Sequence, residues 1–254
     1  MEQYNKCMKL DLSADEFAKL SGEQKKKYIA NLFVQSSGAK PVDPLSTPVA
    51  VITAGLPGAG KTEFLDTLAK DMAGLRFNPP VRIDLDEIVG VYPDYTPKDY
   101  YKFRDRGNLV LERTIDVARR GRYNVFIDGT FSGSSGASVK GVARLLDAGY
   151  RVNLVYVYDE AKVAWMYTMK RRLETGRKVD LGGFKRSAKT LIDNLSDARK
   201  RFSKNSEFSI SLVVQKELRD KDFYITTDND EIDKFIKLRY NVDNLKDNDD
   251  QETH

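Results

Sequence analysis

The sequence predicts an α/β fold: a largely parallel sheet with helices on both faces. Three observations carry this. Short apolar or β-branched runs alternate with helix-period segments along the chain. The first such run, "VAVITA" (49–54), feeds directly into a glycine-rich loop and a helical pattern. Later runs, "VRIDL" (81–85) and "NVFID" (124–128), end in acids, as strands do when their carboxyl ends form a ligand-binding edge.

The elements follow in order. Residues 11–35 read as two short helices, because "SADEF" and "SGEQ" offer capping boxes, Ser13 with Glu16 and Ser21 with Gln24. "SSGAKPVDPLSTP" (36–48) is a Pro/Ser/Gly linker. After the first strand a helix spans 61–72, with Phe64, Leu65, Leu68 and Met72 on one face. Residues 99–120 are helical, with Leu109, Leu111, Ile115 and Ala118 as core candidates. Helix is expected at 138–148, strand at 151–158, and helix at 160–174, broken by "ETGRKVDLGG". Helix resumes over 184–202, and "FSISLVV", "DFYITT" and a helix at 230–238 complete the set. The expected organisation is a helical lead-in and linker (1–44), one α/β domain (45–238) and an acidic, disordered tail (239–254).

Composition removes several chemistries. The 254 residues are 41 % hydrophobic, which fits a globular chain with a sizeable core. His254 is the only histidine and Cys7 the only cysteine, so Ser-His triads, internal disulfides and thiolate-clustered metals are not expected. Chemistry must rest on carboxylates, Lys, Arg and a bound divalent metal. No apolar run approaches the roughly 20 residues of a membrane span, and "MEQYNKCMKL" has no apolar core of a signal peptide, so a cytoplasmic location is expected. A net charge of +4, from 42 basic and 38 acidic residues, is too mild to point to nucleic acid.

"AGLPGAGKTEFL" (54–65) matches the Walker A pattern in full: Gly55, four residues, then Gly60-Lys61-Thr62. Glycines let backbone N–H groups turn inward at phosphate oxygens, and the following helix N-terminus adds positive potential. Gly55, Gly58, Ala59, Gly60, Lys61, Thr62 and Glu63 are therefore the candidate ATP-binding residues. Lys61 would reach the β- and γ-phosphates, and Thr62 would offer its hydroxyl to Mg²⁺. Asp84 and Asp86 share a face if their strand continues that far, and one could take a proton from an acceptor hydroxyl. The alternative is an acidic loop capping the next helix. Asp128 ends a Walker B-like strand, or else begins an Asp-Gly turn. Arg171, Arg172 and Arg177 flank a helix break at Gly176, as a mobile phosphate clamp or as a solvated helix end.

Together, the Walker A loop, "IDLDEIVGVYPDY", "GRYNVFIDGTF", "GYRVNLVYV" and "RRLETGRKV" resemble the zeta toxin family over residues 45–205. The resemblance implies a P-loop kinase-like three-layer sandwich using ATP and Mg²⁺, with the 3′-hydroxyl of the amino sugar in UDP-N-acetylglucosamine as acceptor. It also implies a possible small helical antitoxin as partner. Asp86 looks like the general base, Glu112 and Asp128 like acids facing the sugar, and Arg172 and Arg177 like phosphate-facing arginines. Asp84 and Thr130 belong to the same expected acceptor pocket. Ser132 stands where an acceptor-binding Arg is usual, and the loop reads Gly55-Leu56-Pro57-Gly58 where Gly-Gln-Pro-Gly is often found. Other readings are a P-loop kinase of a nucleoside, an antibiotic or a polynucleotide end, or a nucleotide-binding regulator with little turnover.

Overall fold

The structure is a computed structural model, and it describes residues 11–75, 77–133, 136–177, 179–215 and 223–247. Its strands are β1 (Val49–Ala54), β2 (Val81–Asp84), β3 (Val125–Asp128), β4 (Arg151–Tyr158), β5 (Phe208–Gln215) and β6 (Phe223–Thr226). They form one sheet in the order β2-β3-β1-β4-β5-β6. β2 runs parallel to β3 and β4 parallel to β5, while β6 returns antiparallel to β5. The fold is thus α/β with a largely parallel sheet, as the alternation of elements predicts.

The chain divides into two compact units. The first comprises Met1–Val51, Thr62–Asp128 and Ala148–Arg151. Here both predicted capping boxes form, at the starts of α1 (Ala14–Lys19) and α2 (Gly22–Ser36). α2 buries Ile29, Ala30, Leu32, Phe33 and Val34. α3 (Lys61–Gly74) buries Phe64 and Leu65. A six-residue helix, α4 (Leu85–Gly90), follows β2 at once. α5 (Tyr100–Arg120) buries Tyr100, Phe103, Gly107, Val110, Thr114, Ile115 and Ala118, a stripe at spacings of three and four. Leu109, expected in the core, is 57 % exposed, because the buried stripe passes through Val110 instead. Phe17 of α1 reaches Tyr92, and Tyr92 reaches Phe103 of α5, at ring separations of 6.0 and 5.6 Å.

The second unit comprises Ile52–Lys61, Gly129–Asp147 and Val152–His254. It contains α6 (Ala137–Asp147), α7 (Ala161–Thr175), α8 (Leu181–Phe202) and α9 (Asn229–Lys237). Val152 and Leu154 to Val157 of β4 are buried, as suits an interior strand of a parallel sheet. Tyr156 and Phe184 are among the largest fully buried side chains. Over 239–247, part of the expected tail, the chain makes specific contacts. There Tyr240 hydrogen-bonds Tyr156 through the hydroxyls at 2.9 Å, and the Trp165 Nε1–H donates to the Lys246 carbonyl at 2.9 Å. An aromatic ring and a buried indole N–H each find a partner in this segment, which composition alone does not reveal. Residues 248–254 lie outside the described residues.

Candidate active site

β1 is buried along nearly its whole length and delivers Gly55 at its carboxyl end. The loop that follows lies hard against its neighbours in the second unit. A Cβ on Gly55 would stand 2.5 Å from the Val157 carbonyl of β4. Gly58 has φ +79°, and a Cβ there would stand 2.2 Å from the Ala164 carbonyl of α7. Both positions therefore require glycine. Thr168 fastens the contact by donating its hydroxyl to the Pro57 carbonyl at 3.1 Å. Ala59 and Gly60 are buried, and the Ala59 N–H turns back to the Leu56 carbonyl at 3.1 Å. Lys61 is buried, with its ammonium donating to the Leu56 carbonyl at 2.8 Å. Its side chain thus folds back along the loop. Glu63 is exposed in the first turn of α3.

Thr62, the next residue, belongs to the first unit. Its hydroxyl donates to Asp128 Oδ2 at 2.9 Å. Asp128 and Asp84 end neighbouring parallel strands in register. The strand does not continue to Asp86, so the expectation of a shared strand face is corrected. Asp84 is the N-cap of α4, accepting from the Asp86 N–H at 2.8 Å, and Asp86 sits in the first helical turn. Burial first, then the charges of Asp86 and Asp128, push the Asp84 carboxyl well above its ordinary value, and the Asp86 N–H only partly opposes them. Burial likewise raises Glu87, against the pull of Arg82.

Arg82 is a residue the motifs do not flag. From mid-β2 it pairs with Asp66 of α3 and meets Asp128 Oδ2 at 3.3 Å. Burial opposes its charge, but Asp66, Asp128 and Glu87 outweigh burial and hold it firmly protonated. The available signal was an arginine between two apolar residues of a strand, Val81 and Ile83, which must find carboxylates to be buried there. Thr62 and Asp128 fit a Mg²⁺ site of the kind completed by substrate phosphates, since Mg²⁺ takes few protein oxygens and keeps water. Among the described residues there is no ready-made cluster of three metal-ligating side chains. Glu112 lies on the exposed part of α5.

The loop after β3 is clamped within the second unit. Thr53 Oγ1 exchanges hydrogen bonds with both the N–H and the carbonyl of Gly129, at 2.9 and 3.1 Å. The Gly55 N–H donates to the Thr130 carbonyl at 3.3 Å. Thr130 and Ser132 pair through their hydroxyls at 2.6 Å. Between them Phe131 is held at φ +56°, unusual for an aromatic residue. Asn194, buried on α8, supplies the restraint by donating its amide to the carbonyls of Phe131 and Gly133 at 2.8 and 3.0 Å. Nothing in the sequence near Asn194 announces this role.

α7 ends at Thr175, with Gly176 in the left-handed region and its N–H on the Arg172 carbonyl at 2.8 Å. Ala164, Thr168 and Arg172 are spaced by four and so share one face, the first two against the phosphate loop. Arg172 is half-buried, with Asp247 3.5 Å from its Nη1. Arg177 is half-buried just beyond the break. Among the described residues, no helix is long and apolar enough to cross a membrane.

The first unit thus carries a threonine–aspartate pair with two further acids, and the second a clamped, glycine-dependent loop packed on α7. The family model for zeta toxin matches residues 35–236. No curated protein gives a significant sequence match. Among solved structures, the chain is similar to one from the PezAT chromosomal toxin–antitoxin system of the human pathogen Streptococcus pneumoniae. That match has 20 % identity and a TM-score of 0.59, covering 88 % of each chain. It is also similar to a structure of the AvrRxo1-ORF1:-ORF2 complex, at 14 % identity and a TM-score of 0.59, covering 85 % of this chain and 78 % of the other. A further structure of AvrRxo1-ORF1:-ORF2, with ATP, matches at 13 % identity and a TM-score of 0.54, covering 85 % and 68 %. These likenesses bear on the fold, whereas the family match spans most of the sequence. The chain belongs to the zeta toxin family.

Proposed function

We propose that the protein is an ATP-dependent small-molecule kinase, acting as the toxin of a toxin–antitoxin pair, with a hydroxyl of UDP-N-acetylglucosamine as phosphate acceptor. The observation that carries the kinase reading is the joining of a glycine-dependent phosphate loop to the Thr62–Asp128 pair through the single Lys61–Thr62 peptide. Family membership and the ATP and antitoxin partners of the structural neighbours support it.

In this reading the loop amides and Lys61 would bind the triphosphate, and Thr62 and Asp128 would hold Mg²⁺. Bound there, the metal would screen phosphate charge. Asp86 takes the proton of the acceptor hydroxyl as that oxygen bonds to the γ-phosphorus and the bond to ADP breaks. Asp84 is committed to capping α4, which leaves Asp86 for this role. Arg172 and Arg177 neutralise charge on the transferring phosphoryl, while Glu112 and Thr130 face the sugar. A less charged acceptor is the second reading. The paired hydroxyls of Thr130 and Ser132 favour it, because they stand where an arginine clamp is usual for a diphosphate.

The test is mass spectrometry of UDP-N-acetylglucosamine, nucleosides, aminoglycosides and 5′-hydroxyl oligonucleotides, each incubated with ATP, Mg²⁺ and the protein. The expected result is UDP-N-acetylglucosamine heavier by one phosphoryl group. Modification of another member alone moves the assignment to that acceptor. Asp86→Asn is expected to keep ATP binding and to lower turnover by roughly 10²–10⁴, the range for a positioned acid or base. A larger loss in Asp84→Asn than in Asp86→Asn makes Asp84 the base instead.

A further inference from the structure

The family match ends at residue 236, and the described chain runs on. Residues 239–247 form neither helix nor strand, yet they are fastened to the second unit. Tyr240 stacks on Tyr158 at 5.6 Å and bonds the Tyr156 hydroxyl. Lys185 Nζ donates to the Asp243 carbonyl at 3.3 Å. The Trp165 Nε1–H holds the Lys246 carbonyl, and Asp247 Oδ1 stands 3.5 Å from Arg172 Nη1. Trp165 and Arg172 lie two turns apart on α7, and both meet the end of the segment, at the adjacent residues 246 and 247. The neighbouring row, Ala164 and Thr168, presses on the phosphate loop.

We infer that residues 239–247 are an autoinhibitory strap, in which the Asp247 carboxylate holds the place on Arg172 that a nucleotide phosphate oxygen takes. The inference rests on the reading of Arg172 as a phosphate-facing arginine. Asp247 Oδ1 is buried and makes no hydrogen bond, so its 3.5 Å contact with Arg172 Nη1 is one of charge. A triphosphate brings more charge and several acceptor oxygens, and can form charge-assisted hydrogen bonds where Asp247 Oδ1 makes none. The remaining anchors are a ring stack and hydrogen bonds to backbone carbonyls or another hydroxyl, which water can replace at small net cost. Nucleotide binding therefore lifts the strap, and the strap sets the nucleotide concentration at which the site fills.

The full-length protein carries its own reporter, because Trp165 is the only tryptophan. The test titrates a non-hydrolysable ATP analogue with Mg²⁺ into wild type, Asp247→Asn and Trp165→Phe, following calorimetry in all three and Trp165 emission in the first two. Asp247→Asn is isosteric, and Trp165→Phe removes the Lys246 anchor without touching Arg172. Both variants are expected to bind the analogue about two- to tenfold more tightly, the order of one partly exposed ion pair. Wild-type emission is expected to shift to the red on binding, as the indole N–H exchanges a carbonyl for water. Unchanged or weaker binding in Asp247→Asn overturns the inference while leaving the kinase reading intact. So does tightening in Asp247→Asn but not in Trp165→Phe, which reduces the effect to local charge. Failure of wild type and both variants to bind the analogue at all overturns the kinase reading itself.

Discussion

Asp84 shows how one carboxyl can serve structure at the expense of its own ionisation. It caps α4 through the Asp86 N–H, yet burial and the charges of Asp86 and Asp128 raise its proton affinity. Between its unfolded value and its raised folded value, the native chain keeps a proton that the unfolded chain has lost. Stability from this group is therefore complete below the unfolded value and is lost as pH rises through the folded one. Asp84→Asn keeps an N-cap oxygen and cannot ionise. The variant is expected to match wild type near about pH 4 and to melt at a higher temperature near about pH 8, in thermal scans across that range. A parallel pair of curves refutes the burial argument. Lys61, Thr62, Asp84, Asp86 and Asp128 could be singled out as candidates because local spacing defines their motifs. Arg82 and Asn194 were not, because their roles exist only through partners far along the chain: Asp128 for one, and the carbonyls of Phe131 and Gly133 for the other. Asn194→Leu is expected to raise the Michaelis constant for the acceptor at least about tenfold, since two hydrogen bonds restraining a strained turn are lost. The constant for ATP should change little, and equal effects on both constants would mark Asn194 as a general stability residue.

At the scale of elements, the meeting of the phosphate loop with α7 is the sharpest packing constraint near the site. Gly58→Ala must place a methyl group 2.2 Å from the Ala164 carbonyl while holding φ at +79°. The left-handed backbone alone costs about 1–2 kcal/mol for a residue with a Cβ. The clash adds to this unless α7 withdraws, and withdrawal takes Arg172 with it. We expect a lower melting temperature together with at least about a tenfold weaker affinity for nucleotide, as 1.4 kcal/mol corresponds to a decade. Wild-type affinity in a folded variant would show that the loop and α7 are not rigidly coupled. β1 and β4 were readable because continuous apolar runs with glycine or acid at their ends leave few alternatives. α4 was not, since six residues hold too little periodicity to distinguish a helix from a strand that runs on. The α5 face was misjudged at Leu109 because Gly107 and Thr114 occupy its buried stripe, and neither residue type announces a core position.

At the scale of the whole chain, the family match is not a folding unit. It begins at residue 35, whereas α2 begins at Gly22 and contributes Ile29, Leu32, Phe33 and Val34 to the core of the first unit. The sequence revealed α2 through its capping box, but cast it as a lead-in, since an amphipathic helix does not state what it packs against. In the structure it packs on α5, the long helix that also braces α4. Burying one such side chain stabilises a fold by about 1.5–3 kcal/mol. Four of them approach the roughly 5–15 kcal/mol that separates a native domain from its unfolded chain. Removal of residues 1–36 also leaves the apolar stripe of α5 open to water on the side that α2 covers. A chain of residues 37–254 is therefore expected to lose its near-ultraviolet circular dichroism and its cooperative urea transition, while keeping much of its helical signal. The measurement is a pair of urea titrations, one for the full chain and one for the truncated chain, each followed in the near and far ultraviolet. A truncated chain that unfolds cooperatively at the full-length midpoint would show that α2 is an appendage, and that the family core is complete without it.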